Sequence, residues 1–597
     1  MRQTFFNALI LLAFLGLETK IQAIPNQVHP NFTMTAVDAK YNNADFLPFV
    51  MGLAFLPDGR LLVATSEDLA RGGVVLADPV AKPDYSELYI MGGVSGPAAG
   101  RTVIKIADAF LGLSGVVVVE GVIYVADRDG FYKLVDSNKD DVIDSRVKIV
   151  GWPGAPHWHQ WAFTPMYRDN KFYVPWSGTV SMGGASQDTG SSPLSGAFLS
   201  FDKDGQNLSA LGSGLRSPNG AGMSPMGDIF VIDNEGSWLP ASTVSHIKAG
   251  KSSGHRHKPE RAIDKWTYEP PTAWIPQRTI GLSPSEPVYI PHGTFEGDWL
   301  FGDVTHFGLM RMSLDAVKGK YQGAIFPFSA GPVAGADSGA VNRLVWGADS
   351  ALYIGNVGRM GNWPSKRARF PIYRLKESGV PEFEMASVHS RKGGLEIRFT
   401  QPVDPATILN ANFYVKQFTY IRMSGYGQIR RPEKDSLKTV TATLISTDKK
   451  RVFIQIDGLK DRSDHVHPDL NKKEGYVTYV KLNGVKSATS KAPWNDEVWY
   501  TMTSQSESSF SIVPIQSKML RYKTSVRLEV GSQQLAVTTI EGGAYTVEIK
   551  NLMGRTLNKK TGNGPETIYI QRPVSQAGVY LLQVKQGNKS FVQKVFF

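Results

Sequence analysis

Hydrophobic and polar positions repeat one unit between Asn26 and Leu375: an apolar residue, a turn built on Asp, Asn or Gly, then a strand of alternating or continuous aliphatics. Phe55-Leu56-Pro57-Asp58-Gly59-Arg60-Leu61-Leu62-Val63-Ala64-Thr65 is one copy; others lie at 119–127, 168–175, 225–233, 295–303 and 347–355. The equivalent residues Leu62, Ile123, Phe172, Ile229, Leu300 and Leu352 fall 49 to 71 residues apart. Six copies at that spacing predict a six-bladed β-propeller over 24–378, its first and last segments completing a shared blade. A four-stranded blade cannot bury both faces alone, so blades stack around a channel.

Past Gly379 the pattern changes. Leu395 to Thr400 alternates with period two, Pro402-Val403-Asp404-Pro405 is a turn, and Val452–Ile456 and Tyr476–Val480 are further strands. This predicts an immunoglobulin-like sandwich over 379–503. The polar run from Ser504 to Ser511 reads as a linker over 504–515. From 516 to 597, a strand ending in Lys550 and a hairpin turning at Gly587-Asn588 predict a second small sandwich. The expected fold class is therefore all-β: a six-bladed β-propeller followed by two β-sandwich domains.

Composition narrows the chemistry. With 11% aromatic and 20% charged residues, a disordered chain, a coiled coil and a collagen are excluded. The absence of cysteine excludes disulfides, thiolate zinc, iron–sulfur clusters, a Cys nucleophile and covalent haem attachment. The net charge of +11 is spread out, so no nucleic-acid partner is expected. Arg2, the apolar run Ala8–Leu17 and Ala23 read as a signal peptide over 1–23. No later stretch reaches 18 apolar residues, so the mature chain is expected to carry no transmembrane segment.

Seven of the eleven histidines lie between His157 and His306, in loops beside Gly, Pro and Trp. Such loops over a rigid propeller are where sites are built. Asp136, Asn138, Asp140, Val142 (through its carbonyl) and Asp144 have the spacing of a calcium loop. The sixth position, where Gly is usual, is Asp141, which must take a conformation Gly prefers.

The segments His159-Gln160-Trp161-Ala162-Phe163, Gly214 to Gly220, Asp233 to Pro240, Gly254-His255-Arg256-His257, Ser283 to Pro287, Gly302 to His306 and Val341 to Gly347 resemble the glucose/sorbosone-type quinoprotein sugar dehydrogenases. The resemblance spans roughly 45–503. It implies pyrroloquinoline quinone, calcium, a carbohydrate or small-alcohol substrate and a separate electron acceptor. It assigns His159 as base and Arg216 as quinone anchor. Asn219, Asp233, His255 and Arg343 become cofactor contacts. A neutral imidazole suits removal of a hydroxyl proton, and Arg stays charged beside a quinone being reduced. Position 160 is Gln where the family has Glu. A propeller polysaccharide lyase acting on an acidic glycan and a non-catalytic carbohydrate-binding surface protein are the alternatives.

Residues Asn551, Leu552, Gly554, Arg555 and Leu557, with the hairpin from Ala577 to Lys589 and basic Lys594, resemble the C-terminal sorting domain of type IX secretion substrates. That resemblance implies the type IX machinery as a partner. It also implies release or surface attachment on a Gram-negative bacterium, with the domain removed beyond about 515.

Overall fold

The computed structural model describes residues 28–596 apart from 67–85, 154–159, 180–191, 258–260, 306–307, 331–339, 359–368, 380, 426–434, 466–472, 513–525, 531–533, 551–555, 572–578 and 587–588. The signal-peptide segment and Asn551 to Arg555 therefore lie outside the described residues. The chain divides into two units, Met1–Ile512 and Val513–Phe597.

The first unit holds six antiparallel blades, taken here from inner to outer strand. Blade 1 is Val50–Phe55, Leu61–Thr65, Ser86–Gly92 and Thr102–Phe110. Blade 2 is Gly115–Val119, Val122–Asp127, Gly130–Val135 and Ser145–Gly151. Blade 3 begins at Met166–Arg168 and Lys171–Pro175, blade 4 at Pro218–Met223 and Ile229–Asp233, and blade 5 at Pro284–Tyr289 and Trp299–Asp303. Blade 6 contributes Ala340–Trp346, Ala351–Val357 and Tyr373–Glu377, and Phe32–Ala36 from the start of the chain pairs antiparallel with Tyr373–Glu377 to complete it. Joining first and last segments in one blade closes the ring without a free edge. The second strands Leu61–Thr65, Ile229–Asp233 and Trp299–Asp303 are buried at every position. Covered on both faces, they read as nearly continuous apolar runs rather than as an alternation.

Four inner strands carry a β-bulge at the same level: between Val50 and Gly52, Pro218 and Ala221, Pro284 and Pro287, and Val341 and Arg343. A bulge adds a residue to one strand and re-aims the side chains beside it.

After the propeller, Met385–Arg391, Gly394–Phe399, Arg451–Ile456 and Val440–Ile445 form one layer of a sandwich. Glu497–Met502, Tyr476–Leu482, Phe413–Thr419 and Ser436–Lys438 form the other. Their apolar faces meet in a core that includes Val388, Ile397, Val415, Ile454 and Val480. Glu497–Met502 also pairs with Lys320–Ala330, the outer strand of blade 5, so one eight-stranded sheet runs from propeller into sandwich.

In the second unit, Gln534–Lys550 pairs along its length with Thr556–Gln571, with a register shift between Thr539 and Gly543. Val537 and Ile570 from one half share a core with Val547, Ile549 and Leu582 from the other. One folded sheet thus supplies both faces of a small sandwich.

Candidate functional site

In each meander the start of the inner strand pairs with the end of the second strand, as Val50 does with Thr65 and Pro218 with Asp233. Both therefore lie at one mouth of the ring. Three second strands end in Asp, and each carboxylate accepts two backbone N–H bonds from the connection that leads into its own inner strand. Asp127 takes them from Leu111 and Gly112 at 3.1 and 2.7 Å. Asp233 takes them from Arg216 and Ser217, both at 2.7 Å. Asp303 takes them from Leu282 and Ser283 at 2.8 and 3.0 Å. In blade 3 the Ser177 hydroxyl accepts from the Trp161 amide at 2.7 Å instead. Burial pushes Asp233 up to about 6 despite the amides and the nearby Arg216 charge. Asp233, expected to orient a cofactor, is placed as one of these repeated latches.

Below the mouth the bulged inner strands turn polar side chains into the channel. Arg343 is 1% exposed and draws the blades together around the channel. Its Nε donates to the Met51 carbonyl at 2.8 Å in blade 1, and Nη2 to the Ser114 carbonyl at 3.4 Å beside blade 2. Its guanidinium lies 5.4 Å from the Phe163 ring centroid ahead of blade 3. Nη1 donates to Asn219 Oδ1 at 3.1 Å in blade 4, and to the Asn342 carbonyl and Oδ1 in blade 6. Glu286 of blade 5 offsets part of its desolvation, which brings the guanidinium down to about 10. Asn219 Nδ2 donates to Asn342 Oδ1 at 3.1 Å, and Asn342 Nδ2 to the Val50 carbonyl at 2.7 Å. Asn219 and Arg343, expected as cofactor contacts, are joined here as a plug that closes the channel with paired polar atoms.

A second cluster sits where blades 3 and 4 meet. An insertion between the third and fourth strands of blade 4 lends Lys251–Ser252 and Thr267–Tyr268 to the outer edge of blade 3. Between those short strands, His255 and His257 face inward, perpendicular to each other with ring centroids 4.8 Å apart. His255 is fully buried, with Nδ1 2.9 Å from the Ser237 carbonyl. Burial, and then the neighbouring His257, hold His255 well below the usual imidazole range. Arg216 is buried beside it and packs on Gly236, where a β-carbon would meet its guanidinium.

His257 is the residue that sequence reasoning passed over. Its Nδ1 is 3.1 Å from Asp264 Oδ1, and Asp264 Oδ2 accepts the Arg261 amide. Asp264 is held below its ordinary value; the His257 bond and charge outweigh its burial. An ionised Asp264 fixes the proton on Nδ1 and leaves Nε2 as an acceptor. Nε2 is buried, with no hydrogen-bond partner among the described residues. It lies over Gly178 and Gly196, where added β-carbons would come within 2.8 Å of Nε2 and 2.7 Å of Cε1. The sequence signal was the H-x-H alternation in an extended segment, which puts both imidazoles on one face.

His159 lies outside the described residues. Its neighbour Gln160 is buried and donates to the Ser177 carbonyl and to Ser195 Oγ at 3.2 and 2.9 Å. The structure thus gathers Arg216, Asp233 and His255 at the mouth and puts Asn219 and Arg343 in the channel.

The calcium-spaced loop joins the two outer strands of blade 2. Asp136 accepts from the Lys139 and Asp141 amides, Asp140 from the Val142 amide, and Asp144 from the Ser137 amide. Asp141 takes the left-handed conformation expected of it, with φ +65°, and forms a bidentate pair with Arg60 at 2.5 and 2.9 Å. Among the described residues no three or more His, Asp or Glu side chains are grouped to hold a metal ion. Of the expected set Asp136, Asn138, Asp140, Val142 and Asp144, Asp136 and Asn138 both accept from the Asp140 amide and Asn138 Nδ2 donates to Asp140 Oδ2 at 3.0 Å, while Asp144 accepts from Ser137.

No protein-family model matches the chain, and no curated protein does. Distant likenesses exist among solved structures. The PQQ-bound aldose sugar dehydrogenase of Streptomyces coelicolor is 15% identical over 59% of this chain and 100% of its own, with a TM-score of 0.39. A glucose dehydrogenase is 14% identical over 57% and 98%, with a TM-score of 0.37. The α-L-arabinanase of Penicillium chrysogenum complexed with arabinobiose is 13% identical over 58% and 98%, with a TM-score of 0.35. The propeller assignment rests on the strand pairing above.

Proposed function

We propose that the chain is a carbohydrate-directed propeller enzyme, and that it oxidises a sugar or related alcohol at the mouth between blades 3 and 4, the hydroxyl proton passing to a base and the hydride's two electrons to a separate electron acceptor. The observation that carries this reading is the His257–Asp264 pair. A buried imidazole nitrogen without a partner is destabilising by about 1–3 kcal/mol, a cost that a substrate hydroxyl donating to it removes. Asp264 sets the tautomer in which Nε2 accepts that proton, the part a general base plays. The dehydrogenase class comes from the resemblance of the mouth segments to quinoprotein sugar dehydrogenases.

The quinone itself is not fitted by the residues expected to hold it. Asn219, Asp233, His255 and Arg343 direct their polar atoms at backbone and at one another, and no described acidic cluster suits a calcium ion. No step is therefore routed through a quinone. The same engagement of these four residues favours a second reading, sugar binding without turnover.

Dye-coupled oxidation of a sugar panel, with pyrroloquinoline quinone and calcium supplied, tests the proposal. Turnover in the parent and a loss of about 10²–10⁴-fold in His257→Ala support it. Loss in His159→Ala with His257→Ala unaffected would return the base role to His159. Saturable sugar binding with no reduction of the dye establishes the second reading.

We also propose that the C-terminal unit is an export address recognised by type IX secretion machinery and removed near residue 515. Its support is the hairpin and Asn551-to-Leu557 resemblance. Mass spectrometry of secreted material should show a mature chain ending close to that linker, and an intact Phe597 would overturn it.

A further inference from the structure

We propose that a cleft between the blade 4 insertion and the following sandwich binds the anionic group of an acidic sugar. The inference stands without the proposed oxidation. The cleft, about 270 Å³, is lined by Arg256, Lys265, Trp266, Thr267, Tyr268 and Arg422, among others. Its chemistry follows from the insertion's extended backbone: His255 and His257 point inward to the mouth, so Arg256 between them points the other way.

Three cations from two parts of the fold line one small space. Arg422, just past the sandwich strand Phe413–Thr419, is buried and held rigid. Its guanidinium stacks 4.0 Å over the Tyr268 ring, Nε donates to the Trp238 carbonyl at 3.2 Å, and Nη2 donates to the Gly254 carbonyl. Arg256 lies 5.2 Å over the Trp238 ring. Lys265 sits on the turn Ile263–Lys265, exposed, and no ion pair or hydrogen bond of its side chain is found among the described residues.

Two acids lie beside these cations, and Lys265 is paired with neither among the described residues. Asp264 is bonded to His257 and to the Arg261 amide. Glu474, behind Tyr268, accepts that residue's hydroxyl at 2.7 Å to both oxygens and lies 3.9 Å from Arg422 Nε, so it offsets part of that one charge. A fixed cation beside Arg256 and the exposed Lys265 suits a carboxylate or sulfate ester. The remaining lining argues for a sugar as its bearer. Trp266 offers an aromatic edge and Thr267 a hydroxyl, and the volume falls just under the range of about 300–1,000 Å³ that holds drug-sized ligands.

Titration calorimetry on the full chain with sodium glucuronate, glucose and sodium sulfate tests this. Glucuronate should bind, glucose should not displace it, and added salt should weaken it. Lys265→Met is an exposed change that leaves folding intact. It should raise the glucuronate Kd by about tenfold or more, the loss of one charge-assisted contact. Arg256→Met should act in the same direction, and the remote exposed Lys392→Met should have no effect. Absence of glucuronate binding, or an unchanged Kd in both cleft variants, would overturn the proposal. Sulfate binding as tightly as glucuronate would overturn the sugar as the source of the anion.

Discussion

Asp127, Asp233 and Asp303 show how one residue type acquires its role from its place in a repeat. Each closes its second strand, and each ties down two amides of the connection that enters its blade. Replacing Asp233 with Ala orphans both amides in a buried wall and should cost about 2–4 kcal/mol, read as a fall in urea midpoint. Asp127→Ala should behave alike, which a role confined to cofactor binding would not produce. The periodic equivalence was legible in the sequence, since Val125-Ala126-Asp127, Val231-Ile232-Asp233 and Phe301-Gly302-Asp303 occupy the same point in three copies. What hid it was the resemblance of the segment Asp233 to Pro240, which made Asp233 a cofactor contact before the amides it ties down were seen. Arg343 is the opposite case. Nothing in its local sequence announces its hydrogen bonds to blades 1 and 4 and to the segment entering blade 2, since these contacts come from Met51, Asn219 and Ser114, far away in the chain. Arg343→Met should destabilise by about 3 kcal/mol or more, because it leaves Glu286 buried without its cation and several carbonyls without a donor. Chemical denaturation measures it, and a change below 1 kcal/mol would mean that the channel tolerates an apolar plug.

Strands were the most readable level, because second strands buried on both faces, as in blades 1, 4 and 5, are apolar at nearly every position. The bulges at the heads of the inner strands were not readable. A bulge shifts pairing by one residue while leaving composition unchanged, and its sign is a partner's register. Glycine supplies part of the packing here. Gly220 has φ +140°, and a β-carbon on it would sit 2.6 Å from the Glu286 Cα of the next blade. Gly222 on the same strand leaves no room beside the Pro287 carbonyl and Trp299. Blades 4 and 5 therefore approach backbone to backbone, and Gly222→Ala has to push them apart. The expected cost is about 1–3 kcal/mol or more, the overpacking range, seen as a lower melting temperature. The exposed Gly250, with nothing near its β-carbon position but φ +69°, should lose less on the same change.

At the scale of the whole first unit, the boundary expected at 378–379 is where topology changes, yet the eight-stranded sheet passes across it. Trp499 and Tyr479 of the sandwich share a core with Trp274, Trp299 and Ile325 of the propeller. This joint was not legible, because Ile325 and Trp499 are far apart in sequence and each reads equally well as part of its own domain. A chain ending at residue 378 would expose that apolar face and the free edge of Lys320–Ala330, so it should aggregate or melt well below a chain ending at 512. The junction also gives the molecule a pH response. Glu474 is fully buried and is pushed up to about 7, first by burial, with the Arg422 charge and the Tyr268 hydroxyl only partly offsetting it. Its native value thus lies above the ordinary 4.5 of the unfolded chain. The native state holds this proton more tightly, so the contribution is fully present below about pH 4.5 and is lost as pH rises through about 7. Glu474→Gln keeps a neutral acceptor for Tyr268 and removes the titration. The variant and the parent should melt together at pH 4, and the variant should melt higher at pH 8, by the equivalent of about 3.5 kcal/mol at most. Melting curves of the pair across that range decide it. A parent that gains on the variant as pH rises would show that the Arg422–Glu474 attraction, 3.9 Å apart, outweighs the cost of burying the charge.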